Sequence, residues 1–287
     1  MTRMPTIGKT AFALLVFLCS MQAIGENLRT EEVEFASHGV TLSGSIVFPA
    51  GDIHSAVVFV HGSGKQMRNL QWAERFAQAG IAALVYDKRG AGKSGGEYEG
   101  NQSVSEKNIS LLADDALAAL RSLAAHPSLK GKPVGLAGIS QAGWIAPVAA
   151  ERSAAVKFLV LWSGPVCKVS EEDIYSKYTG DANSGPAPPY AVALNARTEK
   201  YLWPDFLGKD TDSGESLEKL AIPGLWIFGD NDPSIPVDLS IARLQRLHTG
   251  GHPYEYLLFP GLGHNNMEQT FSVAADWIRR STTKKSE

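Results

Sequence analysis

The stretch Val134-Gly135-Leu136-Ala137-Gly138-Ile139-Ser140-Gln141-Ala142-Gly143-Trp144 decides the fold. A short apolar run leads into a serine flanked by small residues. Behind it, Trp144-Ile145-Ala146-Pro147-Val148-Ala149-Ala150 is again apolar and rich in small side chains. The pattern predicts a strand, a sharp turn and a helix, with Ser140 at the turn. Such a turn holds its central residue in a strained backbone conformation and presses its side chain outward. Strand and helix pass so closely there that the positions two before and two after the turn residue must be small. They are Gly138 and Ala142. The pattern G-x-S-x-G is therefore one methyl off, with the second glycine displaced to Gly143. An alanine adds only a Cβ, so the departure is expected to be tolerated.

Working outward, apolar runs alternate with helical periods on both sides. Val33 to Ser37 and Val40 to Phe48 read as strands joined by the short polar turn Ser37-His38-Gly39. Ala56 to Val60 is a continuous apolar run, as expected of a strand buried on both faces, and it ends in His61-Gly62-Ser63-Gly64. Leu70 to Ala79 has helical spacing, stopped by Gly80. The strand Ala82 to Tyr86 runs into Asp87-Lys88-Arg89-Gly90-Ala91-Gly92-Lys93-Ser94-Gly95-Gly96. That loop is not a phosphate-binding loop, because Lys93-Ser94 follows Gly90 too soon for G-x-x-x-x-G-K-[ST]. Ser103 to Ala124 reads as a long amphipathic helix ended by Pro127.

Downstream, strands are expected at Lys157 to Trp162, Gly224 to Phe228 and Tyr254 to Phe259. Helices are expected near Leu239 to Leu247 and from about Glu268 to Arg279. Between about Val166 and Lys219 the texture changes. Acidic residues, tyrosines and Pro186-Ala187-Pro188-Pro189 suggest an inserted cap of a few helices and a proline-stiffened loop. The alternation elsewhere implies an α/β fold with a mostly parallel sheet covered by helices on both faces. In such sheets functional groups gather at the carboxyl ends of the strands.

Composition sets the outer bounds. The chain has 287 residues, 20% charged and 44% hydrophobic, with a formal net charge of -3. Nothing in that balance suggests nucleic acid as a partner. Arg3 and Lys9, the apolar run Ala11 to Cys19 and the small-x-small end Ala23-Ile24-Gly25 describe a secretory signal peptide over residues 1–25. A secreted or periplasmic location is expected, with residues 26–287 forming the mature domain and no stable membrane insertion of that part. Cleavage after Gly25 would leave Cys167 as the one cysteine, so no intramolecular disulfide is expected. No Cys/His cluster has metal-ligand spacing, and neither metal nor cofactor is expected.

A serine hydroxyl is a poor nucleophile near neutral pH and needs a base, which in turn needs an acceptor to fix its tautomer. Phe228-Gly229-Asp230-Asn231-Asp232-Pro233 offers two aspartates. Phe259-Pro260-Gly261-Leu262-Gly263-His264-Asn265 offers a histidine in a glycine-rich loop. Both lie at expected strand ends.

With these motifs in order, residues 33 to 280 resemble an α/β-hydrolase of the bacterial esterase, thioesterase and acyl-peptidase branch. That branch carries H-G-x-G, D-x-R-G-x-G-x-S, the serine turn, G-x-x-D-x-x-x-P and G-x-x-H, and all five are present. The resemblance implies Ser140 as nucleophile, His264 as base and Asp232 as acid, with Asp230 as the alternative acid. It also implies an oxyanion hole made by the backbone N–H of Gln141 and one from the loop after Val60. Ser63 is the leading choice there, with Gly62 or Gly64 as alternatives. His61 is expected to brace that loop. The expected activity is cleavage of a carboxylic ester or thioester of a short to medium acyl group in a small-molecule substrate. Rival readings are an aminopeptidase, for which Glu171, Glu172 and Asp173 in the insertion supply carboxylates, and a non-catalytic binding protein on the same scaffold. Trp144, Tyr175, Tyr178 and Trp203 are the candidate walls of the acyl pocket.

Overall fold

Six strands of six or seven residues, each followed by a helix, and a hairpin of two nine-residue strands assemble into an eight-stranded sheet in the order β1-β2-β4-β3-β5-β6-β7-β8. The computed structural model describes residues 28–182, 186–197 and 208–283. The leader expected over residues 1–25 and the pocket candidate Trp203 lie outside the described residues. β1 (Arg29–Ser37) and β2 (Val40–Phe48) form an antiparallel hairpin. Its two-residue turn places both His38 (φ 47°) and Gly39 (φ 74°) in the left-handed region, the geometry that matches the twist of a tight hairpin. β2 runs antiparallel to β4 (Ile81–Tyr86). From there β3 (Ser55–Val60), β5 (Val134–Ile139), β6 (Val156–Trp162), β7 (Gly224–Gly229) and β8 (Tyr254–Phe259) are all parallel. Their carboxyl ends therefore share one edge.

The sheet has a core on each face. Val58, Leu84, Leu136, Leu159 and Trp226 pack on one side, among residues of α2 (Glu106–Ala124), α3 (Ala142–Glu151) and α7 (Val237–Thr249). Val57, Val85, Ala137, Val160 and Ile227 pack on the other, with α1 (Leu70–Gln78) and α8 (Met267–Thr282). Each fully buried Leu, Ile or Val contributes about 1.5–3 kcal/mol, so two such layers hold the strands without disulfides. α2 begins three residues later than the periodicity suggests. The Ser105 hydroxyl accepts from the Asn108 N–H at 3.2 Å and caps the helix, and Gly100–Gln102 forms a separate 3₁₀ turn before it.

The chain between β6 and β7 carries α4 (Val169–Thr179), α5 (Tyr190–Ala196) and α6 (Ser213–Leu217). A bridge between Lys168 and Asp212 ties its two ends together. Among the described residues no helix is long and apolar enough to cross a membrane.

Candidate active site

The serine turn has the strain its sequence implies. Ser140 has φ 56°, a conformation unfavourable for any residue with a Cβ, at the junction of β5 and α3. The crossing is tight enough to explain the one-methyl departure. A Cβ on Gly138 would fall 2.5 Å from the Ala142 Cβ and 2.6 Å from the Val60 carbonyl oxygen. The space two glycines would share is thus already taken up by the Ala142 methyl, and only Gly138 must stay bare. Gly143 has a different reason to be glycine: a Cβ there would meet Pro165 at 2.5 Å, where α3 passes the loop after β6.

The two downstream loops press together at the same edge. A Cβ on Gly229 would fall 2.1 Å from the Leu262 carbonyl oxygen, and Asn231 N–H donates to that oxygen at 2.9 Å. Across this contact His264 Nδ1 meets the Asp232 carboxylate at 2.8 and 3.0 Å. An Nδ1–H donating to Asp232 leaves the Nε2 lone pair free to accept a proton. Asp232 is fully buried, and its Oδ1 also accepts from the N–H groups of Ser234 (2.9 Å) and Ile235 (3.2 Å). Asp230 faces elsewhere: its Oδ1 accepts from Gly261 N–H at 2.7 Å and braces the histidine loop.

Sequence reasoning missed the residue that links this loop to the strand beside the serine. Ser163, at the end of β6, is buried and left-handed (φ 45°). Its hydroxyl donates to the His264 carbonyl at 2.8 Å and accepts from Asn266 Nδ2 at 3.1 Å. One residue earlier, the Trp162 carbonyl accepts from Ser140 N–H at 2.9 Å. A single strand end therefore carries both the Ser140 turn and the His264 loop. The signal available in the sequence was Ser163-Gly164-Pro165 closing an apolar run.

The loop after β3 lies against the serine turn: a Cβ on Gly62 would sit 3.5 Å from Ser140 Cβ. His61 is buried, with Nε2 bonded to the Tyr86 carbonyl. Burial pushes its pKa down to about 4, so the ring is neutral and structural at ordinary pH. The Ser63 and Gln141 N–H groups take no partner among the described residues, so both are free for a substrate oxygen.

The pocket candidates divide. Trp144 is in the core, its indole N–H donating to the Cys167 carbonyl at 2.7 Å. Tyr175 is equally buried, and its hydroxyl donates to the carbonyls of Pro188 (3.0 Å) and Asp232 (3.4 Å). Neither presents a wall to substrate. Their polar ends are satisfied by backbone, as buried indole and phenol groups require. Tyr178 stands exposed on α4. The open groove at the edge lies instead between the loop after β3 and the histidine loop. It has a volume of about 720 Å³ and is lined by His61, Met67, Leu70, Trp72, Ile139 and Met267 among others. Met67 and Leu70 are exposed, although both are apolar.

α4 packs over the acid loop, with the Thr179 hydroxyl donating to the Pro233 carbonyl at 2.5 Å. Of its three consecutive carboxylates, Glu171 pairs with Arg243 at 2.8 Å and Asp173 with Lys177 at 2.7 Å. Glu172 pairs with no cation among the described residues. Burial, with the negative charges of Asp173, Asp181 and Asp232 nearby, pushes it up to about 8. No cluster of three His, Cys, Asp or Glu side chains able to hold a metal occurs among the described residues.

Comparison with known proteins bears on the fold and the family. In solved structures the chain is similar to the acylaminoacyl peptidase of Pyrococcus horikoshii, with a TM-score of 0.67 at 17% identity over 91% of this chain and 43% of that one. It is similar to an esterase of Pyrococcus furiosus, with a TM-score of 0.62 at 18% identity over 90% of this chain and 95% of the esterase. A lipase in its open form gives 0.64 at 20% identity over 89% and 100%. These likenesses establish the α/β-hydrolase fold. In sequence, 151 residues are 32% identical to a polyketide transferase of Penicillium crustosum, covering 50% of this chain and 47% of that protein. The chain thus spans about half the length of the curated relative it matches. Residues 51–205 match the model of the family described as serine aminopeptidase, S33. That span runs from the loop before β3 through the serine turn into the cap, and the chain belongs to this family of α/β-hydrolases.

Proposed function

We propose that the protein is a serine hydrolase cleaving a carboxylic ester or thioester of a short to medium acyl group through Ser140, His264 and Asp232. The observation that carries this reading is the Asp232–His264 pair at 2.8 Å, on the sheet edge that bears Ser140 in its left-handed turn. In the proposed reaction Ser140 Oγ attacks the carbonyl carbon and passes its proton to His264 Nε2. The tetrahedral oxyanion is received by the Ser63 and Gln141 N–H groups. Collapse expels the alcohol or thiol, which takes the proton from His264, and leaves an acyl group on Ser140. Water then repeats the sequence and releases the acid. The groove beside His61 and Ile139, one residue before Ser140, mixes Met67, Leu70 and Trp72 with Gln66, Arg68 and Asn69, and its roughly 720 Å³ has room for a short to medium acyl or alkyl group.

The test is labelling with a serine-directed fluorophosphonate, followed by nitrophenyl esters of graded chain length. Ser140→Ala should abolish labelling and lower kcat by several orders of magnitude while keeping the fold. An unlabelled but well-folded wild-type protein would instead favour a binding protein on a hydrolase scaffold. A second reading is an aminopeptidase, in which Glu172, kept largely protonated by burial and the nearby Asp232, would ionise on meeting a substrate ammonium. Aminoacyl nitroanilides assayed beside the esters decide between them, since efficient cleavage of the anilides alone would select the aminopeptidase.

A further inference from the structure

Lys88 is almost fully buried, yet no carboxylate pairs with it among the described residues. Asp87, before it in the chain, is turned to Arg68 at 2.9 Å, and Arg89, after it, to Asp115 at 3.0 Å. His61, which feels the Lys88 charge, is neutral. A buried ammonium without a counter-ion is costly, so its hydrogen bonds must be well placed. Nζ donates to the Gly62 carbonyl oxygen at 2.8 Å and to Gln141 Oε1 at 2.8 Å. The ring of Tyr98 lies 5.9 Å away. The Lys88 N–H is also engaged, donating to the Gln66 carbonyl at 3.0 Å.

Those two acceptors belong to the two segments that supply the oxyanion donors. A trans peptide is planar, with its C=O and N–H on opposite sides. Holding the Gly62 carbonyl toward Lys88 therefore turns the Ser63 N–H to the other side of the loop. Gln141 is held by its side chain, with Oε1 on Lys88 and Nε2 donating to the Ser103 carbonyl at 2.6 Å, while its own N–H stays free. The loop after β3 and the start of α3 have no covalent reason to keep a fixed spacing. The pairing of β3 with β5 ends at Val60 and Gly138, and beyond it one ammonium ties the two segments together.

We propose that Lys88 is a positioning residue for the oxyanion hole, setting the Ser63 and Gln141 N–H groups in register by clamping the Gly62 carbonyl and the Gln141 amide from one buried point. The proposal rests on the serine-hydrolase reading. It selects Ser63 over Gly62 and Gly64 as the second donor. Burial pushes the ammonium down to about 8, so the clamp loses its charge in mildly alkaline solution.

The experiment compares Lys88→Met, Lys88→Arg and Gln141→Met with wild type on p-nitrophenyl acetate. A trifluoromethyl ketone serves as the tetrahedral mimic. Lys88→Met should lower kcat about 100-fold, the scale of losing one oxyanion donor, with KM within about threefold. Affinity for the ketone should fall by a similar factor. Lys88→Arg keeps its charge, so the alkaline limb of its kcat profile should move above that of wild type, an effect a purely structural role does not produce. Gln141→Met keeps the backbone N–H and cuts one arm of the clamp, so it should show a smaller loss, again in kcat. Should Lys88→Met fail to fold, the other two variants carry the test. A kcat for Lys88→Met within about threefold of wild type overturns the proposal. So does a loss confined to KM, or wild-type kinetics in both Lys88→Arg and Gln141→Met. Ser140→Ala assayed alongside keeps the two ideas apart. If it is active, the triad falls and the clamp with it; if it is inactive while Lys88→Met is active, only the clamp falls.

Discussion

Asp230 and Asp232 stand two positions apart in one loop, and their carboxylates do different work. Asp232 points to His264 Nδ1, whereas Asp230 holds the Gly261 N–H. Asp232→Asn is therefore expected to lower kcat by about 10⁴-fold, because an amide no longer fixes the tautomer of the base. Asp230→Asn loosens a turn and should cost less than about tenfold, since losing one such bond is worth about 1 kcal/mol. Steady-state kinetics of the two variants check the ranking. His61 offers a pH test. Its folded pKa, near 4, lies below the unfolded 6.5, so the unfolded chain takes up a proton that the folded chain refuses. The stability linked to this ring is fully present above about 6.5 and is lost as pH falls toward 4. The stability difference between wild type and His61→Asn, followed by urea denaturation, should shift by roughly 2–3 kcal/mol against wild type between pH 7 and pH 4.5.

At the scale of elements, the glycine-rich loop after β4, besides carrying Lys88, fastens its neighbours together. Arg89 reaches Asp115 on α2 at 3.0 Å and the Ser37 carbonyl at 3.1 Å, both buried. Asp87 accepts from Arg68 N–H and Lys93 N–H, each at 2.8 Å, and Arg68 beside it holds its carboxyl down to about 2. The loop thus knits β1, α2 and the approach to α1 around the end of β4. Asp115→Ala leaves the Arg89 guanidinium buried and unpaired and is expected to cost about 3–5 kcal/mol. Urea denaturation at neutral pH measures the loss, and a change below about 1 kcal/mol would assign the pair no structural role.

For the whole molecule, the parallel strands bring chain segments far apart in sequence to one edge, with the inserted cap resting on the acid loop through Tyr175 and Thr179. That contact makes α4 a support for the loop that carries Asp232. The basic start, apolar core and Ala23-Ile24-Gly25 predict export. Mass spectrometry of the protein from its native host should find a new amino terminus near Glu26, and an intact Met1 in the soluble fraction would refute it.

The order and type of the elements were legible because their signals are local. Apolar period, glycine and proline stops, and the small residues around Ser140 act within a few positions of themselves. That Ser140 and His264 meet at one edge was legible for a related reason: a parallel sheet delivers strand ends to one edge, and polar residues after apolar runs mark those ends. The choice between Asp230 and Asp232 needed either family spacing or the structure, since both sit in the same turn. Trp144 and Tyr175 read as pocket walls but are interior, because an aromatic's polar end is steered by whichever carbonyl lies nearest in space. For Trp144 that carbonyl is Cys167, on the loop beyond the next strand. The Ser163 link between strand and base loop and the Lys88 clamp were invisible for the same reason. Each is a hydrogen bond between segments that meet only when the sheet has formed, and nothing in the local pattern of either residue records its partner.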